Sequence, residues 1–154
     1  MTNPTSYFTK KGVSLSPRRY FVDALSYMAL GLFSSLLMGL IIKTLGEQLA
    51  IDSFVEMGQF AMDSKIVGGA IGVAIAASLK APPLILFSSL FVGAFGNTLG
   101  GPVGAYLSVL VAVEGAKLLY GVTRIDIIIA PFTTFVIGYF VAKVIKNILV
   151  NLLE

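Results

Sequence analysis

Two groups of residues could do chemistry in this chain, and both lie between positions 96 and 117. The first is the link Gly96-Asn97-Thr98-Leu99-Gly100-Gly101-Pro102. Backbone amides freed at Gly100 and Gly101 would bind hydroxyls or anions, and Asn97 and Thr98 would add directional hydrogen bonds. The second is Glu114 with Lys117, three residues apart on one face of a helix otherwise made of Val, Leu, Ala and Gly. There Glu114 would accept from the hydroxyls of a small polar solute, with Lys117 as its counter-ion. These six residues form the candidate substrate-binding set. Each group also has a local reading: a helix cap and turn for Asn97 and Thr98, and an i, i+3 pair near the lipid headgroups for Glu114 and Lys117.

The residue types that are missing narrow the chemistry further. The chain has no histidine and no cysteine, which removes the usual metal ligands and most nucleophile–base pairs. Eight carboxylates, six tyrosines and the hydroxyl residues remain, and no catalytic residue, metal or cofactor is expected. Of the 154 residues, 56% are hydrophobic and only 12% charged. Soluble domains are charged at about a quarter of positions, so this chain cannot cover a globule with polar surface. With a mean hydropathy of +0.91 it reads as an all-α integral membrane protein whose first partner is the lipid bilayer. Four of its eleven basic residues, Lys10, Lys11, Arg18 and Arg19, gather near the N-terminus. That grouping reads as a topology signal placing the N-terminus in the cytoplasm, and not as a nucleic-acid footprint.

The elements that must position the candidate residues follow from pattern. Residues 1–16 are polar and lack a sustained apolar period, which predicts an extended or poorly ordered cytoplasmic tail; residues 17–154 form a single transmembrane helical domain. Ser16-Pro17 is a helix start, with serine as N-cap and proline at the first helical position. The apolar run 24–42 is longer than the core of a signal peptide and reads as a retained first span, over about 17–45. Arg19 and Asp23, four apart, read as a headgroup-level arginine with a local carboxylate partner, or as a pair on a solute path. The acidic stretch 46–65 contains an amphipathic pattern after Asp52-Ser53, which predicts a short helix lying on the outer surface.

A second helix over about 66–79 leads through Lys80-Ala81-Pro82 into the short apolar segment 83–95, so these two should form a tight hairpin. The Gly/Pro link ends that segment well short of the roughly 20 residues that cross a bilayer, which places a backbone break at or within membrane depth. Such a break survives only when buried in protein or lining a wet cavity. A segment over 103–120, a polar link Thr123-Arg124-Ile125-Asp126 and a last helix to about 150 complete about five transmembrane helices. Gly31/Ser35/Gly39, Gly68/Gly72/Ala76 and Ala130/Thr134/Gly138/Ala142 recur every four positions as small-residue stripes, the mark of closely packed membrane helices.

Several blocks carry a family resemblance. Lys80-Ala-Pro-Pro-Leu-Ile-Leu-Phe-Ser-Ser89, Gly100-Gly-Pro-Val-Gly-Ala105, Glu114-Gly-Ala-Lys117 and Asp126-Ile-Ile-Ile-Ala-Pro131, with the opening Arg19-Tyr-Phe-Val-Asp23, resemble the N-terminal half of bacterial phosphotransferase-system enzyme IIC-like membrane proteins. The resemblance implies a permease subunit of the bacterial cell membrane for a small polar solute, a sugar or similar polyol, working with soluble IIA and IIB phosphocarriers. It also implies half of an inverted-repeat transporter, completed by a second homologous half or by a homo-oligomer. Those carriers hold phosphate on histidine or cysteine; this chain has neither, so it is at most the membrane conduit. The alternative is a non-transporting regulatory or scaffold protein, or an oligomeric channel.

Overall fold

The structure, a computed structural model, describes residues 4–121 and 124–153, and every regular element in it is helical. A short helix, α1 (Pro4–Lys10), precedes the long first span α2 (Arg19–Leu49). That span widens to π-type turns over Arg19–Asp23 and Phe33–Leu37. Then come α3 (Asp52–Ala61), α4 (Ser64–Ser78), α5 (Pro83–Leu119) and α6 (Asp126–Leu153).

The expected break in α5 is present and sharp. Gly100 (φ −135°, ψ 17°) and Gly101 (φ 65°, ψ −163°) leave the helical region, and the second of these conformations is open essentially to glycine alone. The chain folds back so far that a Cβ on Gly96 would lie 2.8 Å from the carbonyl oxygen of Gly104, eight residues on. α5 is therefore two arms, 83–99 and 102–119, joined at this turn.

The predicted hairpin at Lys80 is equally clear. α4 ends in a left-handed residue, Lys80 (φ 56°), with Lys80 N–H donating to Ala77 O (3.1 Å) and Ala81 N–H to Ala76 O (3.0 Å). This is the paired-carbonyl closure that ends many helices, normally with glycine at the left-handed site. Beyond it α4 and the first arm of α5 touch backbone to backbone, Gly68 and Gly72 meeting Ser89 and Gly93. All three small-residue stripes are buried: Gly31 faces the Ala70 carbonyl, and Gly138 on α6 receives Val92. Stacked rings, Phe91 on Phe135 (4.3 Å between centroids) and Phe95 on Tyr139 (5.0 Å), seal α6 against the first arm of α5. Ile71, Ile75, Leu79, Ile85, Val92, Val109 and Val113 fill the centre with no exposure, while Phe21, Leu30, Phe132 and Phe140 point outward, as a lipid-facing exterior requires.

Two expectations change. From Pro4 onward the tail is neither extended nor loose, because α1 is helical, Tyr7 Oη donates to Leu118 O (2.8 Å) and Lys11 Nζ donates to Tyr120 O (2.7 Å). The last carbonyls of a helix have no partner of their own, and the tail supplies donors to these two. The acidic stretch does form a helix over 52–61, but it turns back at Ala50 (φ 56°) and packs along the end of α2, with Gly58 against the backbone of Gly39 and Lys43. α3 and α4 meet at 55° across the short link between them. The helical segments expected from the sequence are all present as α2, α4, the two arms of α5 and α6; α2 and α6 are each long and apolar enough to cross a membrane, α5 is so over its whole length, and α3 with α4 passes the same test only when taken together. Each arm of α5 has about 17 residues, roughly 26 Å, which is shorter than the hydrocarbon core. Thr123, expected in the last polar link, lies outside the described residues.

Candidate functional site

The charged residues of the bundle converge where α2 begins, α4 ends and the second arm of α5 finishes. Glu114 is the hub. Its Oε2 accepts from Tyr20 Oη at 2.6 Å and from Arg19 Nη1 at 3.4 Å, and its Oε1 accepts from Lys117 Nζ at 3.3 Å. The two cations have a second task in common. Arg19 Nη2 donates to Gly12 O (3.0 Å) and Leu79 O (2.8 Å), and Lys117 Nζ donates to the same two oxygens at 2.6 and 2.7 Å. Glu114 is 8% exposed and Lys117 3%.

Each element contributes for a local reason. The π-type turn over Arg19–Asp23 bonds Ala24 N–H to Arg19 O, one residue further back than in an α-helix. Extra turns of this kind re-aim side chains, and here Arg19 and its neighbour Tyr20 both reach the one carboxylate. Tyr106 Oη donates to Tyr20 O at 2.6 Å and ties that turn to the second arm of α5. Leu79 caps α4, so its carbonyl projects past the helix end, and Gly12 turns the tail with φ 80°. Arg19 and Lys117 also stand in the wall of a cleft of about 510 Å³.

The sequence-based set is placed as two groups, not one. Glu114 and Lys117 belong to this cluster. Gly100 and Gly101 form the turn at the other end of the second arm, Gly101 thirteen residues or about 20 Å from Glu114 along the helix, and Asn97 and Thr98 end the first arm beside it. At that end the Asn97 amide nitrogen donates to Ser64 O (2.8 Å) and Ser64 Oγ (3.1 Å), holding the start of α4, and Thr98 Oγ1 bonds back to Phe95 O (2.8 Å). The first pair ties the end of the first arm to α4, and the last stays within the arm itself. A groove of about 310 Å³ beside them is lined by Asn97, Gly101 and Ser64 among apolar residues such as Leu32, Leu36 and Met62. Sequence reasoning missed Tyr20 and gave Arg19 the wrong partner: among the described residues its carboxylate is Glu114, 95 positions away, and not Asp23. No local spacing could have shown a contact that the tertiary fold creates.

The family model described as "Phosphotransferase system, EIIC" matches residues 22–154. The chain belongs to the EIIC family. Neither a curated protein nor a solved structure matches it. As an EIIC chain it is a membrane transport component of a phosphotransferase system, a setting that includes IIA and IIB phosphocarriers. The match contains Glu114, Lys117 and Leu79, whereas Gly12, Arg19 and Tyr20 precede it.

One carboxylate between two cations fixes the order of mutational cost in this EIIC chain. Glu114→Gln leaves Arg19 and Lys117 uncompensated and should cost about 3–5 kcal/mol, the range for breaking a buried pair. Lys117→Met leaves Glu114 bonded to Arg19 and Tyr20 and should cost less, with the double variant falling between the two singles. Melting of the four proteins in one detergent checks this; Lys117→Met melting below Glu114→Gln would contradict the geometry.

Proposed function

We propose that this chain carries a small polyhydroxylated solute, a sugar or polyol, across the cell membrane, and that the Glu114 cluster is where the solute's hydroxyls bind. The observation that carries the reading is a buried carboxylate within the spans of an EIIC-family protein, beside a cleft of about 510 Å³. Charges at membrane depth cost at least about 2.5–3.5 kcal/mol on insertion scales, and those that persist mark solute and ion paths. The cleft lies within the 300–1,000 Å³ range typical of small-ligand sites. A carboxylate offers about four acceptor positions, of which Tyr20, Arg19 and Lys117 take three; Arg19 and Lys117 line the cleft in front of Glu114, so a solute hydroxyl takes the fourth only by displacing them.

The turn with Asn97, Thr98, Gly100 and Gly101 is then the second polar contact on the path, reached from the opposite end of the arm. Its support is the non-helical backbone at Gly100 and Gly101, which frees amides that an unbroken helix would use. A second homologous half or another copy of the chain encloses the path.

Uptake tests the reading. Glu114→Asp keeps the charge and shortens the reach to Tyr20, so it should lower uptake by roughly tenfold or more while the protein still assembles. The assay uses cells supplying the phosphocarriers and a panel of labelled hexoses and polyols. Near-parental uptake by Glu114→Asp, or no uptake of any panel member by the parent, would remove Glu114 from the solute path.

The N-terminus is proposed to be cytoplasmic, on the basis of Lys10, Lys11, Arg18 and Arg19. The chain has no cysteine, so single replacements can be labelled without background. An impermeant maleimide should label Ser53→Cys in intact cells and Ser14→Cys only after lysis; the reverse pattern would invert the orientation.

A further inference from the structure

The cleft beside the Glu114 cluster has a wall chemistry that a neutral solute does not need. Lys11, Arg18, Arg19, Lys80 and Lys117 all line it, against a single lining carboxylate, Asp23. The two deeper cations, Arg19 and Lys117, are balanced from behind by Glu114. Lys11 is turned to the Tyr120 carbonyl and lies over the Tyr7 ring. Arg18 and Lys80 are exposed at the mouth, and no carboxylate among the described residues pairs with either.

Lys80 is there at some expense. It occupies the left-handed closing position of α4, where glycine is the usual residue and a side chain is disfavoured. Ser16, just before the helix that begins at Pro17, and Arg18 in its first turn line the same cleft, and the positive end of that helix adds to the field.

We propose that this cleft binds a phosphate group, with Arg18 and Lys80 as its first contacts and Arg19 and Lys117 behind them. Arginine offers a planar fork and lysine a point charge, the combination that recognises a phosphate dianion. The phosphate belongs either to a soluble phosphomonoester or to an anionic lipid headgroup, since both present the same oxygens at a membrane surface. The inference concerns the same cleft as the transport reading and adds the class of ligand at its mouth. Arg18 and Lys80 take no part in the Glu114 cluster, so the two ideas can fail separately.

The experiment uses the full chain in phosphatidylcholine nanodiscs, with inorganic phosphate and glucose 6-phosphate as probes and chloride and glucose as controls at matched ionic strength. Both phosphates should raise the melting temperature saturably and the controls should not. Arg18→Gln combined with Lys80→Gly should weaken the apparent affinity by roughly tenfold or more. It should melt no lower than the parent without ligand, because glycine relieves the left-handed backbone.

A parallel set of discs with roughly a third phosphatidylglycerol separates the sources. If a headgroup is the occupant, these discs raise the melting temperature of the parent but not of the double variant, and added phosphate then has no further effect. If a soluble phosphomonoester is the occupant, the response to added phosphate persists. A parent that melts alike in phosphate, chloride and both lipid compositions, or a double variant that responds as the parent does, overturns the site. Phosphate binding in a chain that takes up no solute would leave this site standing and remove the transport reading.

Discussion

The constraint on which the rest of the structure depends is the Glu114 carboxylate, held away from water between Arg19 and Lys117. Taking such charges out of water costs several kcal/mol each unless geometry and additional hydrogen bonds repay it. Three groups donate to Glu114, and the donors left over on the two cations converge on the Gly12 and Leu79 carbonyls. The tail, the start of α2, the end of α4 and the second arm of α5 are thereby required to meet at one point.

Away from that point the bundle is held by shape. Lipid is as apolar as leucine, so burying apolar side chains does little to bring membrane helices together, and close backbone approach does the work. Gly68, Gly72 and Gly93 put α4 directly on the first arm of α5, and Gly96 with Gly104 closes the two arms on each other. The turn at Gly100 and Gly101 makes this possible: without it α5 would be one rod of 37 residues, and Glu114 would lie far from Leu79. The charge cluster and the glycine contacts are thus linked, since the fold-back presents the second arm to α2.

Much of this was legible in the sequence because it is periodic or punctuated. The four-residue stripes gave three packing faces, Pro82-Pro83 gave the α4–α5 turn, and Gly100-Gly101-Pro102 gave the break. What could not be read was set by long-range partners. Arg19 sits four residues from Asp23, and the local pair was the natural inference; its partner is supplied by a helix 95 residues later. The tail gave no helical signal because it is ordered by the carbonyls of Leu118 and Tyr120, which become available only once the bundle exists.

The most direct test of the central tie is amide hydrogen exchange at Val13 and its neighbours. Val13 is 3% exposed and its N–H donates to Phe8 O at 2.8 Å, and protection there requires the tail to be docked. Exchange is compared between the parent and the Glu114→Gln/Lys117→Met protein. The account predicts slow exchange at Val13 in the parent and faster exchange in the double variant, which loses the Lys117 bond to Gly12 O, with the amides of α6 equally protected in both. Val13 exchanging at unfolded-chain rates in the parent, or as slowly in the variant as in the parent, would contradict it.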